Sequence, residues 1–165
     1  MAPTLPRKPA GGVTAVTTTP AGNLLRAAAA ADGTVEVAFR DITRLTGLPL
    51  AEQRSSYAEV SDTDAGPLRI RHKLTLVVDR RAARTLLAPA FRRAAETEGL
   101  IALVTMASGE RLLAGWSARF GTQHPLRPDF FGMESGTKPL DGTPAVLTLT
   151  SEDTDPAAEL KEQES

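Results

Sequence analysis

The 165-residue sequence contains no cysteine and few aromatic residues: five Phe, one Tyr and one Trp. Without cysteine, disulfide bonds, thiolate metal sites and cysteine nucleophiles are excluded. No run of about 18 apolar residues is present, so no membrane-spanning segment is predicted. The formal net charge of −1 gives no overall preference for DNA or for an anionic membrane. Hydrophobic residues still make up 41% of the chain, which predicts one soluble domain with an aliphatic core.

The clearest pattern is an alternation of side chains over residues 68–78. Positions on one face are apolar except for a histidine: Leu68, Ile70, His72, Leu74, Leu76 and Val78. The other face begins with three basic residues, Arg69, Arg71 and Lys73. Because successive side chains of a strand point to opposite faces, this period of two predicts a long, half-buried β-strand.

Other segments predict further strands and one helix. Apolar residues at three- and four-residue steps predict a helix over about 80–98, restarted or kinked at Pro89 and closed by Gly99. Segment 23–31 is ambiguous, and 42–47 predicts a short strand or a turn. Further strands are predicted at 34–40, 100–107, 110–119 and 145–151, the second and third of these forming a hairpin.

These elements predict a mainly β (α+β) domain over residues 23–151, built as an antiparallel β-sandwich or small barrel with one flanking helix. Proline, glycine and threonine dominate residues 1–22, which predicts an extended arm, with at most a short strand at 13–18. Polar residues 50–67 predict a loop, and residues 120–144 an irregular stretch. Six acids against one lysine predict a disordered tail over residues 152–165.

Residue types suited to catalysis are present, but their spacing predicts no catalytic site. His72 lies on an apolar face, where a histidine hydrogen-bonded in the core or at a subunit contact is the favoured interpretation. His124, Asp129 and Ser135 supply the types of a hydrolase triad, yet no G-x-S-x-G turn accompanies them. We therefore predict a protein that is not an enzyme.

Two loop sequences resemble ligand-binding motifs only in part. Asp62 and Asp64 precede Gly66 as in a calcium loop, but the twelfth position is Lys73 instead of a glutamate. Residues 132–138 resemble a phosphate loop with the wrong glycine–lysine spacing and no following helical pattern. The sequence therefore predicts no metal ion and no cofactor.

A run of basic residues links the long strand to the predicted helix. Residues 69–93 include eight basic residues and a single acidic residue, Asp79. This run predicts an assembly or lumen surface, with six candidate residues: Arg69, Arg71, Lys73, Arg80, Arg81 and Arg84. A nucleic-acid-binding module that contacts phosphates through the same run is the alternative from another class.

The order of motifs from residue 68 to 156 resembles that of phage tail-tube proteins. It contains RIRHKLTLVV, a helix, GLIALVTMASGERLLAGWS, FGTQHPLR and ESGTKPLDGTPAVLTLTSEDT. The resemblance implies a sandwich or barrel fold, similar to the type VI secretion tube protein, that forms hexameric rings. It further implies that the arm at 1–22 and the loop at 51–67 contact neighbouring rings, and that the hairpin at 100–119 and the strand at 68–78 join neighbouring sheets around the lumen.

The resemblance also implies the biological setting. The partners would be further copies of the chain and other phage tail proteins, with passive contact to DNA and none to a membrane. The location would be the virion, assembled in the host cytoplasm. A head–tail connector or a tail-terminator ring is the alternative within this setting. Lumens in this family tend to be acidic whereas the strand's polar face is basic, so which face lines a lumen stays open.

Overall fold

The computed structural model describes residues 12–30, 32–48, 50, 55–62, 69–78, 89–118, 121–133, 145–153 and 157–160. Within these ranges, strands dominate and the paired strands run antiparallel. The strands are β1 (Val13–Pro20), β2 (Leu24–Ala29), β3 (Val35–Phe39), β4 (Thr46–Leu48), β5 (Ser56–Asp62), β6 (Arg69–Val78), β7 (Leu100–Met106), β8 (Arg111–Ala114), β9 (Arg127–Met133), β10 (Ala145–Asp153) and β11 (Ala158–Glu159). The helix is α1 (Pro89–Thr97), and Ala21–Asn23 and Ile42–Arg44 form short 3₁₀ turns.

The strands form two main sheets and a separate hairpin. Sheet A has the order β11-β8-β7-β1-β4, and sheet B has the order β5-β6-β10-β9. Strands β2 and β3 pair with each other, and Val35 of β3 also forms an isolated parallel bridge with Leu160. The mainly antiparallel β fold with one flanking helix is therefore confirmed for the described residues.

A single apolar core lies between sheets A and B. Sheet A contributes side chains such as Val16 and Val104, and sheet B contributes Leu74, Leu76 and Leu149. Ala95 of α1 is buried in the same cluster, with Phe91 packed at its margin. Two sheets that bury facing side chains against each other form a β-sandwich, so the sandwich alternative describes this domain.

A second apolar cluster covers the other side of sheet A. It contains Ile101 of β7, Leu113 of β8 and Val35 of β3, so the β2–β3 hairpin packs against the outside of sheet A. Consequently, β7 has Ile101 on one side and Ala102 and Val104 on the other, all fully buried. Strand β7 is therefore buried on both faces, and its predicted hairpin with β8 is confirmed.

The long alternating strand is confirmed as β6. Its positions 70, 72, 74, 76 and 78 are buried, whereas Arg71 and Lys73 are exposed. Neighbouring strands lie on both sides, β5 and β10. Alternation therefore predicted the inner face of a central strand correctly.

Helix α1 begins at Pro89, as the restart at that residue predicted, and residues 79–88 lie outside the described ranges. Gly99 adopts a φ of 80° just after the helix, and its N–H donates to Ala94 O at 2.9 Å. Glycine reaches this left-handed region without a Cβ penalty, so the predicted closure is confirmed. Among the described helices, none is long and apolar enough to cross a membrane.

Both predicted terminal boundaries are wrong in part. Residues 13–20 form β1, which lies between β7 and β4 inside sheet A. Burial of Val13 and Val16 in the core stabilises this position. At the other terminus, Glu152 belongs to β10, and Leu160 is buried beside β11. The arm at 1–11 and the tail at 154–156 and 161–165 lie outside the described residues.

Two predicted irregular stretches also contain strands. Strand β5 lies within the predicted loop at 50–67, and β9 lies within the stretch at 120–144. Segment 23–31 forms β2 after a 3₁₀ turn, and segment 42–47 contains a second 3₁₀ turn and the start of β4. In each case pairing with a neighbouring strand decides the backbone conformation, which local composition does not reveal.

Candidate functional site

The predicted basic surface is present in part on the outer face of sheet B. Arg71 and Lys73 are exposed there, and Arg69 pairs with Asp62 in the β5–β6 register. Arg71 Nη2 lies 3.2 Å from Glu152 Oε1 of the neighbouring strand β10. The other three candidates, Arg80, Arg81 and Arg84, lie outside the described residues.

The basic surface extends across the sheet to a residue that the sequence analysis missed. The register places Lys73 opposite Thr150 and Thr150 opposite Arg127, so these three side chains form a row over β6, β10 and β9. Arg127 also donates from Nη1 to Glu96 O at 3.1 Å and Thr97 O at 3.3 Å, at the carboxyl end of α1. Its position inside an apparently irregular segment concealed it from a pattern-based prediction.

A polar cleft of about 330 Å³ opens beside this row. Its lining consists of strand residues and a preceding loop: Arg71, Gln123, His124, Pro125, Arg127, Asp129, Thr150, Ser151 and Glu152. Two guanidinium groups, two carboxylates and several neutral polar groups therefore converge on one concave surface. Concave sites with convergent polar groups are the usual places for a bound ligand.

The cleft exists because β9 is shorter than β10. Strand β9 ends its pairing at Arg127 opposite Thr150, whereas β10 continues to Asp153 alongside β6. The chain before β9 turns toward sheet A, where Leu126 and Leu100 exchange backbone hydrogen bonds of 2.8 and 2.9 Å. This divergence leaves one side of residues 151–153 without a β9 neighbour and opens the cleft there.

The two hydroxyl-bearing residues of β10 at the cleft point to opposite faces of sheet B. Thr150 lies opposite Lys73 on the outer face, whereas Ser151 lies opposite His72 on the inner face and is only 8% exposed. Thr150 therefore presents its hydroxyl on the same face as the exposed cations Arg71 and Lys73.

The hydrolase-type residues are brought together only in part. His124 and Asp129 both line the cleft, whereas Ser135 lies outside the described residues. His124 is exposed in the loop before β9, and Asp129 is exposed on that strand. The described ranges therefore place two of the three residue types of a hydrolase triad on one cleft and do not include the third.

His72 is buried in a polar network on the inner face of sheet B. Its Nδ1 lies 2.6 Å from the Tyr57 hydroxyl, which donates to Glu59 Oε1 at 2.8 Å. The same carboxylate oxygen accepts the Ala157 N–H at 2.9 Å. Burial, together with the charge and hydrogen bond of Glu59, raises the pKa of Tyr57 above its usual range. The favoured interpretation of His72 as a hydrogen-bonded core residue is thus confirmed.

An apolar groove of about 310 Å³ lies between α1 and the end of β1. Phe91, Ala94 and Leu100 line it, together with Thr19. Thr19 Oγ1 accepts a hydrogen bond of 2.8 Å from the amide of Asn23. The groove therefore borders the junction that Asn23 forms.

That junction carries the two exposed large hydrophobic residues of the described chain. Leu25 is 56% exposed and Ile42 is 75% exposed. Asn23 joins their segments, since its Nδ2 donates to Asp41 O at 2.9 Å and its Oδ1 accepts from Asp41 N at 3.0 Å. Neighbouring exposed apolar side chains are typical of a protein contact surface.

Metal binding finds no support in the described residues, where no cluster of three or more His, Asp or Glu could hold an ion. Comparison with known proteins gives no relative: no family model, no curated protein and no solved structure matches this chain. The function is therefore argued from the chain's own surfaces.

Proposed function

We propose that this chain is a non-enzymatic structural protein that assembles with further copies of itself into rings or a tube, as a component of a phage tail. The observation that carries the proposal is the exposure of Leu25 and Ile42, whose segments are joined by the hydrogen bonds between Asn23 and Asp41. Large side chains that stay exposed in a monomer lose contact with water when a partner covers them. The β-sandwich with a flanking helix agrees with the tail-tube resemblance, which is an argument from fold alone.

The hairpin β2–β3 supports the same proposal. It packs on the outside of sheet A through Val35 and Ala27, and Val35 forms a parallel bridge with Leu160 beside β11. Leu25 therefore projects from a firmly attached ribbon, which positions it for contact with another copy. A ring that closes by one repeated contact would act as a connector or terminator, and stacked rings would act as a tail tube. The other tail proteins and the virion location follow from this proposal.

Light scattering coupled to size exclusion, followed by negative-stain microscopy, tests the proposal. We expect the wild-type protein at high concentration to form rings or tubes. The double variant Leu25→Ser, Ile42→Ser should shift the distribution to monomers, because it removes apolar area from the contact without touching the core.

Ala28→Ser is the matched control, since Ala28 is exposed on the same strand and has a small side chain. It should assemble as the wild type does. A wild-type protein that stays strictly monomeric would contradict the proposal, and so would a double variant that assembles normally. Circular dichroism of each variant ensures that a loss of assembly does not reflect a loss of folding.

A further inference from the structure

We infer that the cleft at the end of β9 binds a phosphate group. This inference does not depend on the proposed assembly, because the cleft lies within one chain. Three cations stand close together on the outer face of sheet B: Arg71 and Arg127 line the cleft, and Lys73 lies in the register row beside Thr150. Guanidinium groups bind phosphate oxygens by paired, charge-assisted hydrogen bonds.

Neutral donors complete the site. Thr150 lies between Lys73 and Arg127 in the register row on the outer face of sheet B, so its hydroxyl is available to a ligand beside these cations. The Gln123 amide also lines the cleft. A tetrahedral group with several acceptor oxygens can accept hydrogen bonds from these neutral donors and from the guanidinium groups together.

Two carboxylates, Glu152 and Asp129, also line the cleft and set its affinity. Glu152 is the current partner of Arg71, and both side chains of this ion pair are more than half exposed. Exposed ion pairs contribute little stability, so a phosphate group can replace Glu152 on the guanidinium at small cost. Glu152 is then a competitor of the ligand, and its neutralisation should strengthen binding.

Equilibrium dialysis of the full chain against radiolabelled inorganic phosphate tests the site, because retention is measured in the same way for a monomer or an assembly. We expect saturable retention at constant ionic strength. Arg71→Gln should weaken it about tenfold, the effect of losing one charge-assisted contact. Glu152→Gln should strengthen it about threefold, the effect of removing an exposed competing charge.

Arg92→Gln is the matched control, since Arg92 is a similarly exposed arginine that pairs with Glu96 on α1 and does not line the cleft. It should retain phosphate as the wild type does. A second arm replaces inorganic phosphate with a short single-stranded oligonucleotide. Retention of the oligonucleotide alone, lost in Arg71→Gln, would support the site and assign its phosphate to a nucleic-acid backbone.

Three outcomes would overturn the inference. The first is no saturable retention of either probe by the wild type, and the second is an equal loss in Arg71→Gln and Arg92→Gln. The third is weaker binding by Glu152→Gln, which would show that the carboxylate holds the ligand and that the ligand is not an anion. Circular dichroism confirms that each variant is folded, so a loss of retention reports on the site.

Discussion

The hydroxyl of Tyr57 lies 2.6 Å from Nδ1 of His72, across the pair of strands β5 and β6. The phenol donates its proton to Glu59 Oε1 at 2.8 Å, and its oxygen contacts His72 Nδ1 at the same time. The carboxylate also binds the backbone of Ala157, where the chain leaves sheet B for β11. One polar network, buried at His72 and exposed at Glu59, thus joins the edge of sheet B to the segment that leads into β11.

Replacing Tyr57 with Phe should destabilise the fold by about 1–3 kcal/mol, because His72 Nδ1 and Glu59 lose a partner in a largely buried site. Denaturant unfolding of both proteins measures this difference. Thr14→Val is the control, since its hydroxyl donates to Thr105 O at 3.2 Å on an exposed surface and its removal should cost less than about 0.5 kcal/mol. Equal stability of Tyr57→Phe and wild type would contradict the network's structural role.

The stability that Tyr57 contributes should fall at high pH. Its folded pKa is raised above the unfolded value near 10, so the contribution is complete below that value. As the pH rises further, the unfolded chain releases the phenolic proton while the folded chain retains it, and stability decreases by up to about 1.4 kcal/mol per pH unit.

Absorbance near 295 nm measures this directly, because Tyr57 is the single tyrosine. The folded protein should show no tyrosinate transition near pH 10, whereas the protein in denaturant should. The unfolding free energies of wild type and Tyr57→Phe are then compared at pH 8 and pH 11. Other titrating groups affect both proteins alike, so the change in their difference reports the pH dependence that Tyr57 contributes. A folded-state transition centred at pH 10 would contradict the raised pKa.

Substitution of Gly115 by Ala should lower the free energy of unfolding by about 2–4 kcal/mol. This glycine has a φ of 93°, and a Cβ there would lie 2.6 Å from the backbone oxygen of Leu100, which cannot move without disturbing β7. Gly109→Ala is a close control, with a φ of 92° but nothing within 4 Å of the added Cβ. It should lower the free energy of unfolding only by the penalty of a left-handed backbone at alanine, about 1–2 kcal/mol. Thermal unfolding compares them, and equal losses would show that the contact with Leu100 is unimportant.

Asn23→Ala should destabilise the chain by about 2–4 kcal/mol. The side chain is fully buried, donates to Thr19 Oγ1 and Asp41 O, and accepts from Asp41 N. The variant should also weaken self-assembly below its unfolding temperature, because Asn23 holds the segments of Leu25 and Ile42 together. Denaturant unfolding and light scattering separate the two effects, and a variant as stable as wild type would contradict the role of this junction.

Strands with strong local patterns were predictable from the sequence. β6 alternates, β7 is apolar throughout, and the turn at Ser108–Gly109 joins β7 to β8. Strand β9 was missed because Pro128 and Gly132 argue against a strand, and the ladder with β10 outweighs them. Strand β2 was ambiguous because its alanines favour helix, yet pairing with β3 forms a hairpin instead. Strand β5 places Tyr57 and Glu59 toward the inside, where a pattern-based reading expects apolar residues.

The candidate sites divide in the same way. Arg71 and Lys73 were placed correctly on a solvent face by their alternation with buried neighbours. Arg127, Thr150 and Ser151 belong to the cleft only because β9 and β10 have a particular register and different lengths, which no local pattern contains. The segments that carry Leu25 and Ile42 are joined by hydrogen bonds between Asn23 and Asp41, which are 18 positions apart.

The sequence by itself determined the class of this protein: no thiol chemistry, an aliphatic core, mainly β structure, and a central strand with an apolar and a basic face. These follow from composition and from periodicity, which act over a few residues. Only the tertiary structure decided which polar groups share the cleft, which hydrophobic residues stay exposed, and that residues 13–20 belong to the core. Those facts depend on strand register and on contacts between distant segments. Such contacts stabilise the chain only after the two sheets have packed together.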